Sequence, residues 1–172
     1  MSENESRPVV VGVDGSPASR EALRWAVNEA RLRGCRVEAV SAWHMDYGMA
    51  IGSMSAEIAL QLSPENRRAA QQAVLDGAVE EFTGVEISRV LVEGDPRTAL
   101  TTASQDAQLL VVGSRGHGPI VEAIIGSVSS YCVHHATCPV VVVRAPKPVE
   151  TETARDERIT RIPAPLTPGP LL

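Results

Sequence analysis

Apolar segments of strand length alternate with segments of helical periodicity along most of this chain. Residues 9–13, 109–112 and 140–143 are nearly continuous β-branched or aliphatic runs, which are typical of strands buried on both faces of a parallel sheet. Residues 36–43 and 85–92 are rich in Val or Ile and are flanked by glycines, which commonly end strands. The pattern therefore predicts five strands.

Three of the four predicted helices begin with the same signal, a side chain that can cap the helix followed by proline. The pairs are Ser16-Pro17, Ser63-Pro64 and Asp95-Pro96. We expect the third helix to end near Asp106. The fourth is predicted from about 127 to 135, before Pro139 prevents its continuation.

Apolar spacing predicts which faces of the first two helices point inward. In the first helix these positions follow a helical repeat and Gly34 provides a C-terminal cap. They are Leu23, Ala26, Val27 and Ala30. In the second helix, which is rich in alanine, the predicted inward positions are Ala70, Ala73, Val74, Ala78 and Phe82.

This order of elements, β-α-β-α-β-α-β-α-β, predicts an α/β fold. Strands that alternate with helices imply right-handed crossovers. They therefore imply an open, doubly wound, five-stranded parallel sheet with helices on both faces, related to the Rossmann fold. In such sheets ligands bind in the crevice outside the carboxyl ends of the strands, where the strand order reverses. We expect the functional residues at that edge.

The chain divides into one domain and two flanking segments. Residues 8–145 contain every predicted strand and helix, and a length of 172 residues favours a single core. Residues 1–7 are polar and are expected to be flexible. Residues 146–172 hold half of the 12 prolines, so we expect this Pro-rich tail to be disordered, with a role as linker or partner-recognition segment left open.

Charge and composition exclude several classes of function. The 16 basic and 21 acidic residues give a net charge of −5, which argues against binding to a nucleic acid backbone. No apolar run approaches the roughly 18 residues of a membrane span. The N-terminus also lacks the apolar stretch of a secretory signal. We therefore expect a cytoplasmic protein with no nucleic acid or membrane partner.

A G-x2-G-x9-G-S pattern follows the fourth predicted strand and consists of Gly113, Gly116, Gly126 and Ser127. Gly116 permits a tight turn with exposed amides. Gly126 and Ser127 open the fourth helix, whose unpaired N–H groups and dipole attract anions. Two groups of amide donors could therefore converge on one polyphosphate.

With this motif the chain resembles the universal stress protein family, whose ATP-binding members carry it. Three shorter segments agree: residues 10–16 (VVGVDGS), Gly94-Asp95-Pro96 at the third helix, and residues 138–143 (CPVVVV) at the last strand. The resemblance spans about residues 7–145. It implies that residues 8–145 form a universal stress protein-like nucleotide-binding domain. That domain would bind ATP, with or without Mg²⁺, and act in signalling or the stress response.

Carried over by position, the resemblance also implies roles for individual residues. Asp14, beside Val13, would face the adenosine end of the nucleotide. The backbone of Ala42 would contact the adenine, and Val112 would lie against the base or the ribose. Main-chain amides and the Ser127 hydroxyl would hold the phosphates. The residues implied there are Gly113, Gly116, Gly126, Ser127 and Val128.

Alternatives remain open at these residues. The nucleotide could be cAMP instead, because the motif does not fix the number of phosphates. Arg115 occupies a variable position and is either a phosphate contact or a solvated loop residue, and Asp14 could simply form a turn before Gly15. Another class of function is a ligand-independent scaffold whose tail recruits partners. In either case the apolar last strand predicts a homodimer through Val140, Val141, Val142 and Val143.

Catalysis and metal binding are not expected. The chain lacks the G-x4-G-K-[ST] loop of P-loop NTPases, so we predict a binding protein rather than an enzyme, with slow ATP hydrolysis left open. A cluster of potential metal ligands consists of Cys132, His134, His135 and Cys138. Histidines in a last helical turn, however, suit the helix dipole without a metal. The Met-rich segment 44–62 is either a flap over the crevice or a packing segment.

Overall fold

The computed structural model of this chain describes residues 7–43, 63–115 and 125–145. Within these ranges the strands are β1 Val9–Gly12, β2 Val37–Trp43, β3 Ile87–Glu93, β4 Leu109–Gly113 and β5 Val140–Val143. The helices are α1 Pro17–Arg33, α2 Pro64–Glu80, α3 Pro96–Ala103 and α4 Ser127–His135, and a 3₁₀ turn, Ser104–Asp106, follows α3. None of the helices in the described ranges could span a bilayer. Segment 44–62, expected to be either a flap or a packing segment, and the Pro-rich tail at 146–172 lie outside the described residues.

The five strands form one parallel sheet in the order β3-β2-β1-β4-β5. The chain moves outward from β1 to β3, crosses back to β4 and continues to β5. The strand order therefore reverses between β1 and β4. This arrangement confirms the predicted open, doubly wound, five-stranded α/β fold.

Helices α1 and α2 cover one face of the sheet, and α3 and α4 cover the other. Val9 and Val11 point to the first face and Val10 to the second, and none of the three is exposed to solvent. A strand buried on both faces has no solvent side on which to place polar residues. For this reason β1 appears in the sequence as an almost unbroken apolar run.

The predicted capping signals form the expected hydrogen bonds. Ser16 Oγ accepts a hydrogen bond from the Ser19 amide at 3.2 Å, and Ser63 Oγ accepts from the Asn66 amide at 3.3 Å. The carboxylate of Asp95 caps α3 in the same way, at 2.7 Å. Each bond satisfies an N–H group that the first turn of a helix leaves unpaired.

The predicted inner face is right for α1 and partly wrong for α2. All four positions predicted on α1 are fully buried. On the α2 side, Ala78 and Phe82 pack against the core as predicted. The other three predicted positions are exposed: Ala70, Ala73 and Val74. The buried residues of α2 are instead Leu75 and Val79. An alanine-rich helix has a weak apolar periodicity, and burial of the larger Leu and Val side chains is worth more than burial of Ala.

Leu75 and its neighbour Val74 provide a matched test of this orientation. Leu75→Ala should lower the free energy of unfolding by about 2–5 kcal/mol, because it empties a fully buried position. Val74→Ala, on the exposed side, should change that free energy by less than about 0.5 kcal/mol. Chemical denaturation measures both values, and equal losses would contradict the observed face of α2.

Candidate functional site

The carboxyl ends of β1, β2 and β4 lie side by side at one edge of the sheet. After β1 the chain enters α1 on one face, and after β4 it continues to α4 on the other face. Neighbouring strands whose connections leave to opposite faces open a crevice between them. The candidate site is this crevice.

Asp14 lies at the mouth of the crevice, where β1 ends. Its carboxylate Oδ1 accepts a hydrogen bond from the Ser16 amide at 2.9 Å, which is an Asx turn. Gly15, between them, has a φ of 84°, a left-handed conformation that favours glycine. The turn described as the alternative for Asp14 is therefore present. It also fixes an exposed carboxylate at the edge of the crevice.

Gly113, at the end of β4, lies directly against the first turn of α1. A Cβ atom at this position would be 2.8 Å from the carbonyl carbon of Ala18 and 2.9 Å from the Ser19 nitrogen. Both are backbone atoms, so a change of side-chain rotamer in α1 could not relieve the overlap. The Ser16 hydroxyl also donates to the Arg115 carbonyl at 3.3 Å. Close packing of α1 on β4 thus requires glycine at position 113 independently of any ligand.

Gly126 is under no comparable constraint. Its φ of −72° is open to any residue, and the nearest atom to an added Cβ would be the Ser114 carbonyl oxygen, at 3.4 Å. Its amide donates to that same carbonyl at 2.7 Å. The Ser129 hydroxyl donates to it as well, at 3.2 Å. The start of α4 is therefore anchored to the chain that leaves β4, beside the crevice.

The N-terminus of α4 lacks a side-chain cap. Helices α1, α2 and α3 are each capped by a side chain, whereas α4 has Gly126 in the capping position and no side-chain hydrogen bond there. Ser127, its first residue, is exposed, and Val128 is half-buried against the second core. N–H groups at such a terminus, together with the helix dipole, favour an anion.

The backbone of Ala42 faces the crevice because the β1–β2 ladder stops before reaching it. The last pair in this ladder is Gly12 with Val40, whereas β2 remains paired with β3 as far as Trp43. The Val13 amide still donates to the Val40 carbonyl at 2.8 Å. In a parallel ladder the next donor would be the Ala42 N–H, toward the Val13 carbonyl. That bond does not belong to the ladder.

Val13 and Val112, at the ends of β1 and β4, are both buried. Val13 is 4% exposed and belongs to the core on the α1 side, while Val112 is 3% exposed and belongs to the core on the α3 side. Both therefore support the strand ends through packing. Arg115 is exposed, and Gly116 lies outside the described residues.

Two polar residues that the sequence pattern did not single out support the end of β1. Ser41 is 1% exposed, and its Oγ donates to the Val13 carbonyl at 2.6 Å. Gln71 of α2 donates from Nε2 to Ser41 Oγ at 2.7 Å. Gln71 lies four residues before the buried Leu75, on the inner face of α2. A polar residue among the inward-facing apolar positions of α2 is the sequence signal that could have pointed to this hydrogen-bonded pair.

An apolar cavity of about 300 Å³ lies next to the crevice, between β2, β3 and α3. Its walls include Val40, Val90 and Ala99, and its rim includes Asp95 and Thr98. No local sequence pattern indicates this cavity, because its walls come from three separate elements.

The cysteines and histidines considered as metal ligands are divided between core and surface. Cys132 is fully buried, and burial raises its pKa to about 11. Burial also raises the pKa of Cys35 and Cys138. His134 and His135 are exposed. Among the described residues, no three potential ligands are grouped so that they could hold a metal ion.

Comparison with known proteins identifies a family. The model of the universal stress protein family matches residues 5–144. A universal stress protein of Mycobacterium tuberculosis is 37% identical over 142 residues, which cover 80% of this chain and 45% of the relative. One of Mycolicibacterium smegmatis is 38% identical over 139 residues, with the same coverage of both chains. This chain thus spans about half the length of the curated relatives it matches.

Solved structures show the same fold. Universal stress protein UspA from Lactobacillus plantarum is 21% identical, with a TM-score of 0.65 over 84% of this chain and 100% of that one. A universal stress protein solved in complex with cAMP is 26% identical, with a TM-score of 0.60 over 81% of this chain and 98% of that one.

The two glycines of the motif should respond differently to alanine. Gly113→Ala should lower the free energy of unfolding by about 1–3 kcal/mol, because its Cβ overlaps the backbone of α1. Gly126→Ala should cost less than about 1 kcal/mol, the difference between glycine and alanine at a helix N-cap. Thermal or chemical denaturation measures both losses, and a loss at position 126 as large as at 113 would contradict this assignment.

Proposed function

This chain belongs to the universal stress protein family, and we propose that it binds an adenine nucleotide in the crevice between β1 and β4. The single observation that carries the proposal is the start of α4. Its amides carry no side-chain cap, and they are fixed to the end of β4 through Ser114. Phosphate oxygens are the ligands that such a helix terminus favours.

The remaining contacts follow from the strand ends. The backbone N–H and the carbonyl of Ala42 lie on the same side of β2. They can pair with the acceptor and the donor, respectively, on the Watson–Crick edge of adenine. The Asp14 carboxylate, held by its turn, would accept a hydrogen bond from a ribose hydroxyl. The relative solved with cAMP supports an adenine nucleotide as the ligand class.

ATP is the first ligand to test, and cAMP is the alternative. The amides of Ser127 and Val128 can hold one phosphate group, and the second donor group, at Gly116, would be needed for a polyphosphate. Asp14 is the only carboxylate among the proposed site residues. Any Mg²⁺ that enters with the nucleotide would therefore be held mainly by phosphate oxygens and water.

The proposed role is that of a nucleotide-dependent binding module in signalling or the stress response, and not of an enzyme. Nucleotide occupancy would change the surface beside the α4 terminus, so that a protein partner meets a different surface when the nucleotide is bound. Turnover of ATP well above background would contradict this aspect of the proposal.

A carboxylate at position 126 should remove nucleotide binding without unfolding the protein. Gly126→Asp places a side chain that can cap the α4 amides where the phosphate would bind, and it repels the phosphate. Calorimetry with ATP should show an affinity roughly tenfold or more below wild type. Thermal denaturation should show unchanged or slightly higher stability.

Gly126→Asn is the matched control, because asparagine has the same shape and caps a helix without the charge. Its ATP affinity should fall between those of wild type and Gly126→Asp. Competition with cAMP identifies the preferred nucleotide. If Gly126→Asp binds ATP as tightly as wild type, phosphate does not bind at α4, and the proposal fails.

We also propose that two copies of this chain associate through β5. Among the described residues this strand is an edge of the sheet and pairs only with β4, and all four of its valines are partly exposed. Bonds to β4 involve alternate residues: the Ser114 amide donates to the Val143 carbonyl at 2.6 Å, and the Leu110 amide donates to the Pro139 carbonyl at 3.0 Å. The peptide groups of Val140 and Val142 therefore point away from β4.

Val142→Pro should separate the dimer and leave the sheet intact. Proline removes only the outward N–H of Val142, and edge strands tolerate proline at such positions. Size-exclusion chromatography with light scattering should show a dimer for wild type and for the control Val142→Ala, and a monomer for Val142→Pro. A wild-type monomer, or a Val142→Pro dimer, would contradict association through β5.

A further inference from the structure

Ser41, which is buried, and Gln71, which is partly buried, form a polar relay that ends on the backbone of the candidate site. Ser41 Oγ donates to the Val13 carbonyl at 2.6 Å, and Gln71 Nε2 donates to Ser41 Oγ at 2.7 Å. The two residues are 30 positions apart, and they join α2 to the carboxyl ends of β1 and β2. The residue that follows Val13 is Asp14.

The direction of the relay is fixed by the groups that compose it. A backbone carbonyl can only accept, so the one hydroxyl hydrogen of Ser41 must point to Val13. Ser41 Oγ must then accept from Gln71, which has to present its NH₂ group. Within the described residues no buried side-chain nitrogen or oxygen atom is left without a hydrogen bond. The relay is therefore complete and has a single arrangement of hydrogens.

The Val13 carbonyl is the acceptor that would otherwise extend the β1–β2 ladder. The ladder ends at Gly12 and Val40, and its next bond would run from the Ala42 N–H to this carbonyl. The carbonyl accepts a hydrogen bond from the Ser41 hydroxyl at 2.6 Å, and this bond directs it toward the Ser41 side chain. The ladder ends here, and the Ala42 N–H stays outside it, at the crevice.

We propose that Ser41 and Gln71 are positioning residues for the nucleotide base, which keep the Ala42 N–H available to the ligand by holding the Val13 carbonyl toward the Ser41 side chain. This inference rests on the proposed function. It adds a relay that begins on α2, behind the sheet, and acts on the base rather than on the phosphates. Gln71 lies on the stripe of α2 that otherwise carries Leu75 and Val79, where packing alone would favour an apolar side chain.

Ser41→Ala should weaken ATP binding about tenfold, the effect of one competing hydrogen bond, because the Ala42 N–H can then pair with Val13. Inorganic tripolyphosphate, which has no base, should bind Ser41→Ala as it binds wild type. Gln71→Leu should weaken ATP binding by a smaller factor, because the Ser41 hydroxyl remains but is no longer held in place. Calorimetry with both probes separates a base effect from general damage.

Ser88 and Gln72 supply matched controls. Ser88 Oγ donates to the Val37 carbonyl at 3.3 Å, a similar serine bond at the opposite end of the sheet, so Ser88→Ala should leave ATP affinity unchanged. Gln72 bonds to Asp76 within α2, so Gln72→Leu should also leave ATP affinity unchanged.

Amide hydrogen exchange without ligand tests the relay directly. In wild type the Ala42 amide should exchange faster than that of Val40, which lies inside the ladder. In Ser41→Ala its exchange should slow as the ladder extends.

Equal ATP affinity in wild type, Ser41→Ala and Gln71→Leu would overturn the inference and leave the proposed function standing. Equal losses for ATP and tripolyphosphate would overturn it as well, since the effect would not concern the base. Failure of wild type to bind any adenine nucleotide would overturn the proposed function and this inference together. If Ser41→Ala does not fold, Gln71→Leu carries the test with the same two probes.

Discussion

The close approach of α1 to the end of β4 sets the shape of the crevice. At Gly113 there is no space for a Cβ atom between the strand and the backbone of Ala18 and Ser19. The Ser16 hydroxyl, which caps α1, also reaches the Arg115 carbonyl across the same gap. The first contact is between backbone atoms and the second is a side-chain hydrogen bond, and together they hold α1 against the end of β4 without a ligand. Such preorganisation lowers the entropic cost of binding.

Within this frame, the three strand ends have different tasks. The end of β1 supplies the Asp14 carboxylate, which is held in a turn. The end of β2 supplies the Ala42 N–H, which lies beyond the β1–β2 ladder. The chain after β4 supplies the Ser114 carbonyl, which anchors the uncapped start of α4. A capping side chain at the start of α4 would stabilise the helix by about 1 kcal/mol, yet the chain has glycine there. The start of α4 is thus less stable than a capped helix would be, and a bound anion could accept the hydrogen bonds that a capping side chain would otherwise accept. The same logic applies to the Ala42 N–H, which the ladder could have used.

Much of this arrangement could be predicted because the relevant signals are local. Three capping residues followed by proline fixed the helix starts, and continuous apolar runs fixed the strands of a sheet covered on both faces. The orientation of α2 could not be predicted as reliably, because alanine lies on several of its faces and the choice depends on which side chains the sheet can accept. Gly113 was assigned to ligand binding from its motif. The structure adds a packing reason that depends on a helix almost one hundred residues earlier, which spacing within the motif cannot show. The bond between Ser41 and Gln71 is hard to predict for a related reason: Gln71 interrupts the apolar inner face of α2, but that local signal does not identify a partner 30 residues away.

The burial of the three cysteines has a chemical consequence of its own. Peroxide and disulfide reagents attack the thiolate, so a cysteine reacts slowly when its proton is held. Cys35, Cys132 and Cys138 all have pKa values raised by burial, and Cys132 lies wholly inside the core. At neutral pH these side chains are therefore almost entirely in the unreactive form. These three thiols are therefore expected to react with peroxide more slowly than an exposed, acidic thiol would.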